Sequence, residues 1–192
     1  MTDATPGDDA GWERVPSPAL PKEEPSAEER AGRLAAELDA SFKARARLYA
    51  DLLRTLEEAV GSEEAERLLA RAIRRRGDAA GAALFSGMGE AGPAEVVARF
   101  LTVASPDWGR LFPHDVHRAA DGRVRVSVRR CPLKDAWVED GLGEAEVARL
   151  CRIAGQADHG VFGRAGCGFS AETWWAGRPG DEGSCCVLTF SP

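Results

Sequence analysis

Ala120-Asp121-Gly122, followed by Arg123-Val124-Arg125-Val126-Ser127-Val128-Arg129, decides how the second half of this chain is read. Val124, Val126 and Val128 alternate with polar residues, the period-two pattern of a strand with one buried and one wet face. Asp-Gly is a strong signal for a tight hairpin turn. Residues 113–119 and 123–130 are therefore expected to pair across Ala120-Asp121-Gly122. The block from Cys131 to Trp137 breaks the alternation. Gly143 to Gly155 then carries Val147, Leu150, Cys151 and Ala154 at helical spacing. Asp158, His159 and Gly160 are expected in a loop, and Phe169–Trp175 and Ser184–Phe190 as two more strands around a Gly-, Pro- and Asp-rich turn.

Upstream of Phe112 the period is that of helices. Ser26-Ala27-Glu28-Glu29 forms a capping-box pattern, in which Ser and Glu side chains each satisfy the other's backbone donor. Leu34, Leu38, Phe42, Leu48, Tyr49, Leu52, Leu53, Leu56 and Val60 then recur at three- and four-residue steps, and Gly61 is a natural stop. Ser62, Glu63 and Glu64 open a second helix with Leu68, Leu69, Ala72 and Ile73 on its apolar stripe. Arg74, Arg75 and Arg76 are expected at its C-terminal end, where cations complement the helix dipole. Residues 77–92 are rich in Gly and Ala but lack the Gly-Lys-Ser/Thr ending of a phosphate loop. Pro93 begins a short helix bearing Val96, Val97, Phe100 and Leu101. The order predicts an α+β fold: N-terminal helices, then an antiparallel sheet of about four strands with an inserted helix.

The first 25 residues hold five prolines among acidic and small residues, and are expected to form a disordered arm. Residues 26–192 are expected to fold as one domain, mainly helical over 26–105 and sheet plus helix over 110–192. Of 192 residues, 44% are hydrophobic and 29% charged, which excludes collagen-like, rod-like and wholly disordered chains. Twenty-five basic against 31 acidic residues give a formal charge of −6, against a broad nucleic-acid surface. No apolar stretch approaches the ~20 residues of a membrane span, and no export leader is expected. A cytoplasmic protein with no membrane partner is expected, its five cysteines reduced. The residues leave a homodimer open.

The nucleophilic residues crowd into short blocks. Cys131 follows Arg129 and Arg130 and precedes Lys134; cations favour the thiolate, the reactive form. Pro132 places that sulfur at a strand end. Cys151 lies on an apolar helix face. Cys185 and Cys186 are adjacent on a strand and so point to opposite faces; Cys186 shares parity with Leu188 and Phe190 and is assigned inward. Cys131, Cys151, Cys186 and His159 have the ligand types of a zinc site but not its spacing, and no metal or other cofactor is assigned. Asp158-His159 offers a general base beside a thiol, or a solvated loop pair.

Cys131-Pro132 after a strand, Leu150-Cys151 on a helix, Asp158, and the strand Cys186-x-Leu188-x-Phe190 after a Gly/Asp turn together resemble the L-2-amino-thiazoline-4-carboxylic acid hydrolase family, over about residues 110–190. The resemblance implies ring opening of a cyclic amidine or thiazoline by carbon–nitrogen hydrolysis. It implies Cys131 as nucleophile, Asp158 or His159 handling the proton, and Cys151 and Cys186 shaping the pocket. Trp137 and Trp174 would wall it, and Lys134 or Arg130 would hold a substrate carboxylate. The layout is also similar to the small-molecule-binding domain of 4-vinyl-reductase type, which implies a non-catalytic ligand- or metal-binding alternative.

Overall fold

The computed structural model describes residues 25–89, 91–103, 110–175 and 184–192. The sequence reading of residues 1–24 lies outside them. The chain divides into a unit that ends at Leu34 and a unit spanning Ala35–Pro192; the site described below belongs to the second.

Helix α1 (Ala27–Val60) opens on the capping box, with Ser26 N–H donating to Glu29 Oε2 at 2.9 Å and Glu29 N–H to Ser26 Oγ at 3.2 Å. It stops at Gly61, whose φ of 82° is the left-handed conformation that glycine adopts without strain. Helix α2 (Ser62–Leu84) begins at the next residue. It does not end at Arg74–Arg76: it continues through Gly77 and Gly81, so these arginines stand within the helix and the C-terminal assignment is corrected.

The reason lies in helix α6 (Gln156–Phe162), which occupies the stretch expected to be a loop. A Cβ on Gly77 would stand 2.2 Å from the Ala157 carbonyl oxygen, and one on Gly81 2.2 Å from that of Val161. From the other side, a Cβ on Gly160 would lie 2.4 Å from the Arg74 carbonyl oxygen. The two helices therefore meet backbone to backbone. Glycine costs about 1 kcal/mol relative to alanine inside a helix, and here that cost admits a partner helix at a distance no side chain allows.

Helix α3 (Pro93–Val103) precedes the hairpin of β1 (His114–Arg118) and β2 (Val124–Val128), in which Arg118 pairs with Val124 across the Asp-Gly turn. Three helices follow: α4 (Pro132–Glu139), α5 (Glu144–Ala154) and α6. Strands β3 (Gly168–Glu172) and β4 (Cys186–Ser191) complete a four-stranded antiparallel sheet of order β1-β2-β4-β3. The α+β class holds, with three helices in the insertion and α4 replacing the expected break at Cys131–Trp137.

Two apolar clusters hold the second unit together. One lies among α1, α2, α4 and α5 around Leu53, Ile73, Trp137 and Leu150. The other joins α3, α6 and the sheet, where Phe162 meets Phe100, Phe169 and Phe190 at ring-centroid distances of 4.9, 4.7 and 4.8 Å. Polar contacts fasten α4 along α1. Arg130 pairs with Asp39 at 2.7 Å, Lys43 pairs with Glu139 at 2.6 Å, and Trp137 Nε1–H donates to the Ala46 carbonyl at 2.8 Å. This clamp sets the position of Cys131.

Candidate functional site

A cavity of about 470 Å³ opens between α1, α3, the β2–β4 face of the sheet and the start of α4. That is within the ~300–1,000 Å³ of small-molecule pockets. Its sheet wall is two cross-strand pairs, Val126 with Leu188 and Val128 with Cys186, whose side chains share one face because the strand period is two. Leu38 and Phe42 come from α1, Phe100 and Leu101 from α3, and Leu111 and Phe112 from the segment before β1. Phe42 and Phe112 meet edge to face at 5.2 Å. The polar lining is His114, Cys131, Asp158 and Cys186.

Cys131 is the N-cap residue of α4, with extended backbone that leaves the sheet and enters the helix. Pro132 suits the next position, since its missing donor would be unpaired there in any case. The expectation that neighbouring cations activate this thiol is not met. Burial pushes its pKa up to about 11, outweighing the pull of the Leu133 and Lys134 N–H groups. Arg129 is paired with Asp115, Arg130 with Asp39 and with Asp135 at 2.8 Å, and Lys134 with Asp135 at 3.2 Å. Each of these charges is engaged by a carboxylate.

Burial pushes Cys186 to about 12, further raised by Cys131 and Asp158 nearby. Cys151 lies in the helical core, 7% exposed, its thiol pushed up by burial and then by Cys186 and Cys131. The three thiols are thus close enough to feel one another, although only Cys131 and Cys186 line the cavity. Cys185 is buried away from it, its thiol donating to the Arg129 carbonyl at 3.2 Å.

Asp158 lines the cavity from α6. The surrounding protein desolvates its carboxyl and pushes the pKa up to about 7. Among the described residues no cation or hydrogen-bond donor offsets that cost. A carboxyl poised there can accept or donate a proton near neutrality, the condition for general acid–base catalysis.

His159, next in the chain, is directed elsewhere. It meets Phe169 edge-on at 5.3 Å, and burial followed by the Arg74 charge lowers its pKa. Trp137 is 1% exposed in the helical core, and Trp174 packs against the same cluster. Arg130 and Lys134 are outside the cavity lining. Among the described residues no group of three or more His, Cys, Asp and Glu is arranged to hold a metal ion. No helix is long and apolar enough to cross a membrane, among the described residues.

His114 is the polar cavity residue that the sequence reading passed over. Its Nδ1 lies 2.8 Å from the Phe112 carbonyl oxygen, which can only accept, so Nδ1 carries the proton. In the neutral ring Nε2 is then the acceptor. Nothing in His114-Asp-Val-His-Arg118 marks the first histidine over the second; the distinction comes from where Leu111 and Phe112 carry the chain.

An α+β domain with a half-open apolar cavity, a half-buried, desolvated carboxyl and two thiols is the framework of a small-molecule enzyme or binding protein. The family model for L-2-amino-thiazoline-4-carboxylic acid hydrolase matches residues 41–190, and the chain belongs to that family. No curated protein and no solved structure matches it.

Proposed function

We propose that this cavity opens a cyclic amidine or thiazoline by hydrolysis of a carbon–nitrogen bond, with Cys131 as nucleophile and Asp158 as the group that moves protons. One observation carries the reading: a carboxyl raised to about 7 lines the same cavity as the thiol at the α4 N-terminus. A thiol at about 11 is protonated at neutral pH and needs a base. The ionised Asp158 serves as that base.

A ring amidine with an exocyclic amino group would react in three stages. Asp158 takes the Cys131 proton as Sγ bonds to the ring carbon. The C=N π pair moves to the ring nitrogen, which takes that proton. The exocyclic amino group then gives up a proton through Asp158 to the ring nitrogen, and its lone pair expels that nitrogen as an amine. Water adds to the remaining C=N carbon, giving one proton to its nitrogen; the bond from that carbon to Cys131 Sγ breaks as the C=O forms, and Sγ takes the other proton. The net change is substrate plus one water. The partial positive charge of the α4 N-terminus favours the thiolate that forms transiently at Cys131.

Incubation with a set of thiazolines and cyclic amidines, followed by mass spectrometry for the gain of one water, tests the proposal. Turnover by the wild type that is lost in Cys131→Ala and Asp158→Asn is the expected result; turnover undiminished in both contradicts it. The protonated thiols favour a second reading, a non-catalytic ligand-binding domain, which predicts saturable binding with no product.

A further inference from the structure

Nine of the thirteen residues lining the cavity are leucine, phenylalanine or valine, and among the described residues none is Lys or Arg. The cations around Cys131 already hold carboxylates: Arg129 that of Asp115, Arg130 those of Asp39 and Asp135, and Lys134 that of Asp135. Among the described residues the only carboxyl in the lining is Asp158, which acquires a negative charge when it ionises. An anionic ligand would therefore lose its hydration in an apolar chamber whose described lining holds no Lys or Arg and whose one positive end, the α4 N-terminus, already faces the Cys131 sulfur, beside a group of its own sign. Both effects oppose binding. The Phe42–Phe112 pair and Leu188 offer apolar area instead, and about 470 Å³ leaves room for a ring with a substituent.

We propose that the cavity takes cyclic amidines bearing an apolar substituent and no anionic group, unlike the carboxylate compound in the family's name. The inference rests on the hydrolytic reading for the amidine, while the exclusion of anions follows from the described lining alone.

The test is calorimetric titration of the full chain at pH 8, where Asp158 is ionised, with a matched pair of probes. These are 2-amino-4-phenyl-thiazoline and 2-amino-thiazoline-4-carboxylate. The phenyl compound is expected to bind about tenfold or more tightly than the carboxylate, and Asp158→Asn is expected to narrow the gap by removing the like charge. Equal or tighter binding of the carboxylate overturns the proposal, as does failure of the phenyl compound to bind at millimolar concentration. Preferential binding of the phenyl compound without ring opening supports the ligand class and counts against hydrolysis. Ring opening of the carboxylate compound with tighter binding does the reverse.

Discussion

Gly77 in α2 and Ala157 in α6 approach so closely that a Cβ on the glycine would lie 2.2 Å from the Ala157 carbonyl oxygen. Asp158 is the next residue, so this contact sets where the cavity's carboxyl stands. Gly77→Ala is expected to push α6 outward and to destabilise by roughly 1–3 kcal/mol, the usual cost of overpacking. Thermal unfolding should show it as a drop of several degrees, at roughly 2–4 °C per kcal/mol for a domain of this size. An unchanged melting temperature would mean that α6 is not seated on the glycines.

Trp137 belongs to the helical core and donates its indole N–H to the Ala46 carbonyl at 2.8 Å. Trp137→Ala is expected to cost about 3–5 kcal/mol, measured by urea titration. Trp137→Phe should lose much less and leave ligand affinity unchanged. A selective loss of ligand affinity in Trp137→Phe would place the indole at the cavity.

Asp158 makes stability depend on pH. Its folded pKa of about 7 lies above the ordinary 3.8, so the folded chain holds this proton more tightly. That contribution is fully present below about 3.8 and is lost as pH rises through about 7. At about 1.36 kcal/mol per unit, the loss at pH 8 reaches at most about 4 kcal/mol. Asp158→Asn should abolish this slope and unfold at higher urea than the wild type at pH 8; the reverse order would show that the carboxylate is solvated or paired.

Alkylation measures the thiols directly. With Cys131 at about 11 and Cys186 at about 12, both are protonated at pH 7. Iodoacetamide should label each at least about tenfold more slowly in the native protein than in denaturant, and the native rates should climb steeply above pH 8. Fast labelling of native Cys131 at pH 7 would restore the cation-activated thiol that its neighbours in sequence suggest.

The hairpin was legible because Val124, Val126 and Val128 and the Asp-Gly turn are local signals, as was the start of α1 from Ser26 and Glu29. Helix α6 was not. Asp158-His159-Gly160 reads as a turn in isolation, and its helix is paired with Gly77 and Gly81, eighty residues upstream, through the absence of side chains. Cys131, Asp158 and Cys186 were legible as reactive types. Their protonation was not, because burial decides it and the pairing of Arg130 with Asp39 depends on α1 lying beside α4. His114 escaped notice for the same reason: a hydrogen bond to a backbone carbonyl leaves no mark in the sequence.

The dependence of ring opening on pH, compared between the wild type and Asp158→Asn, decides whether Asp158 moves the proton. The wild-type kcat/KM is expected to rise through about pH 7 as Asp158 ionises. Asp158→Asn is expected to lose this rise and to fall roughly 10²–10⁴-fold, the usual worth of a positioned general base. An Asp158→Asn enzyme with the wild-type rate and the same inflection would contradict it.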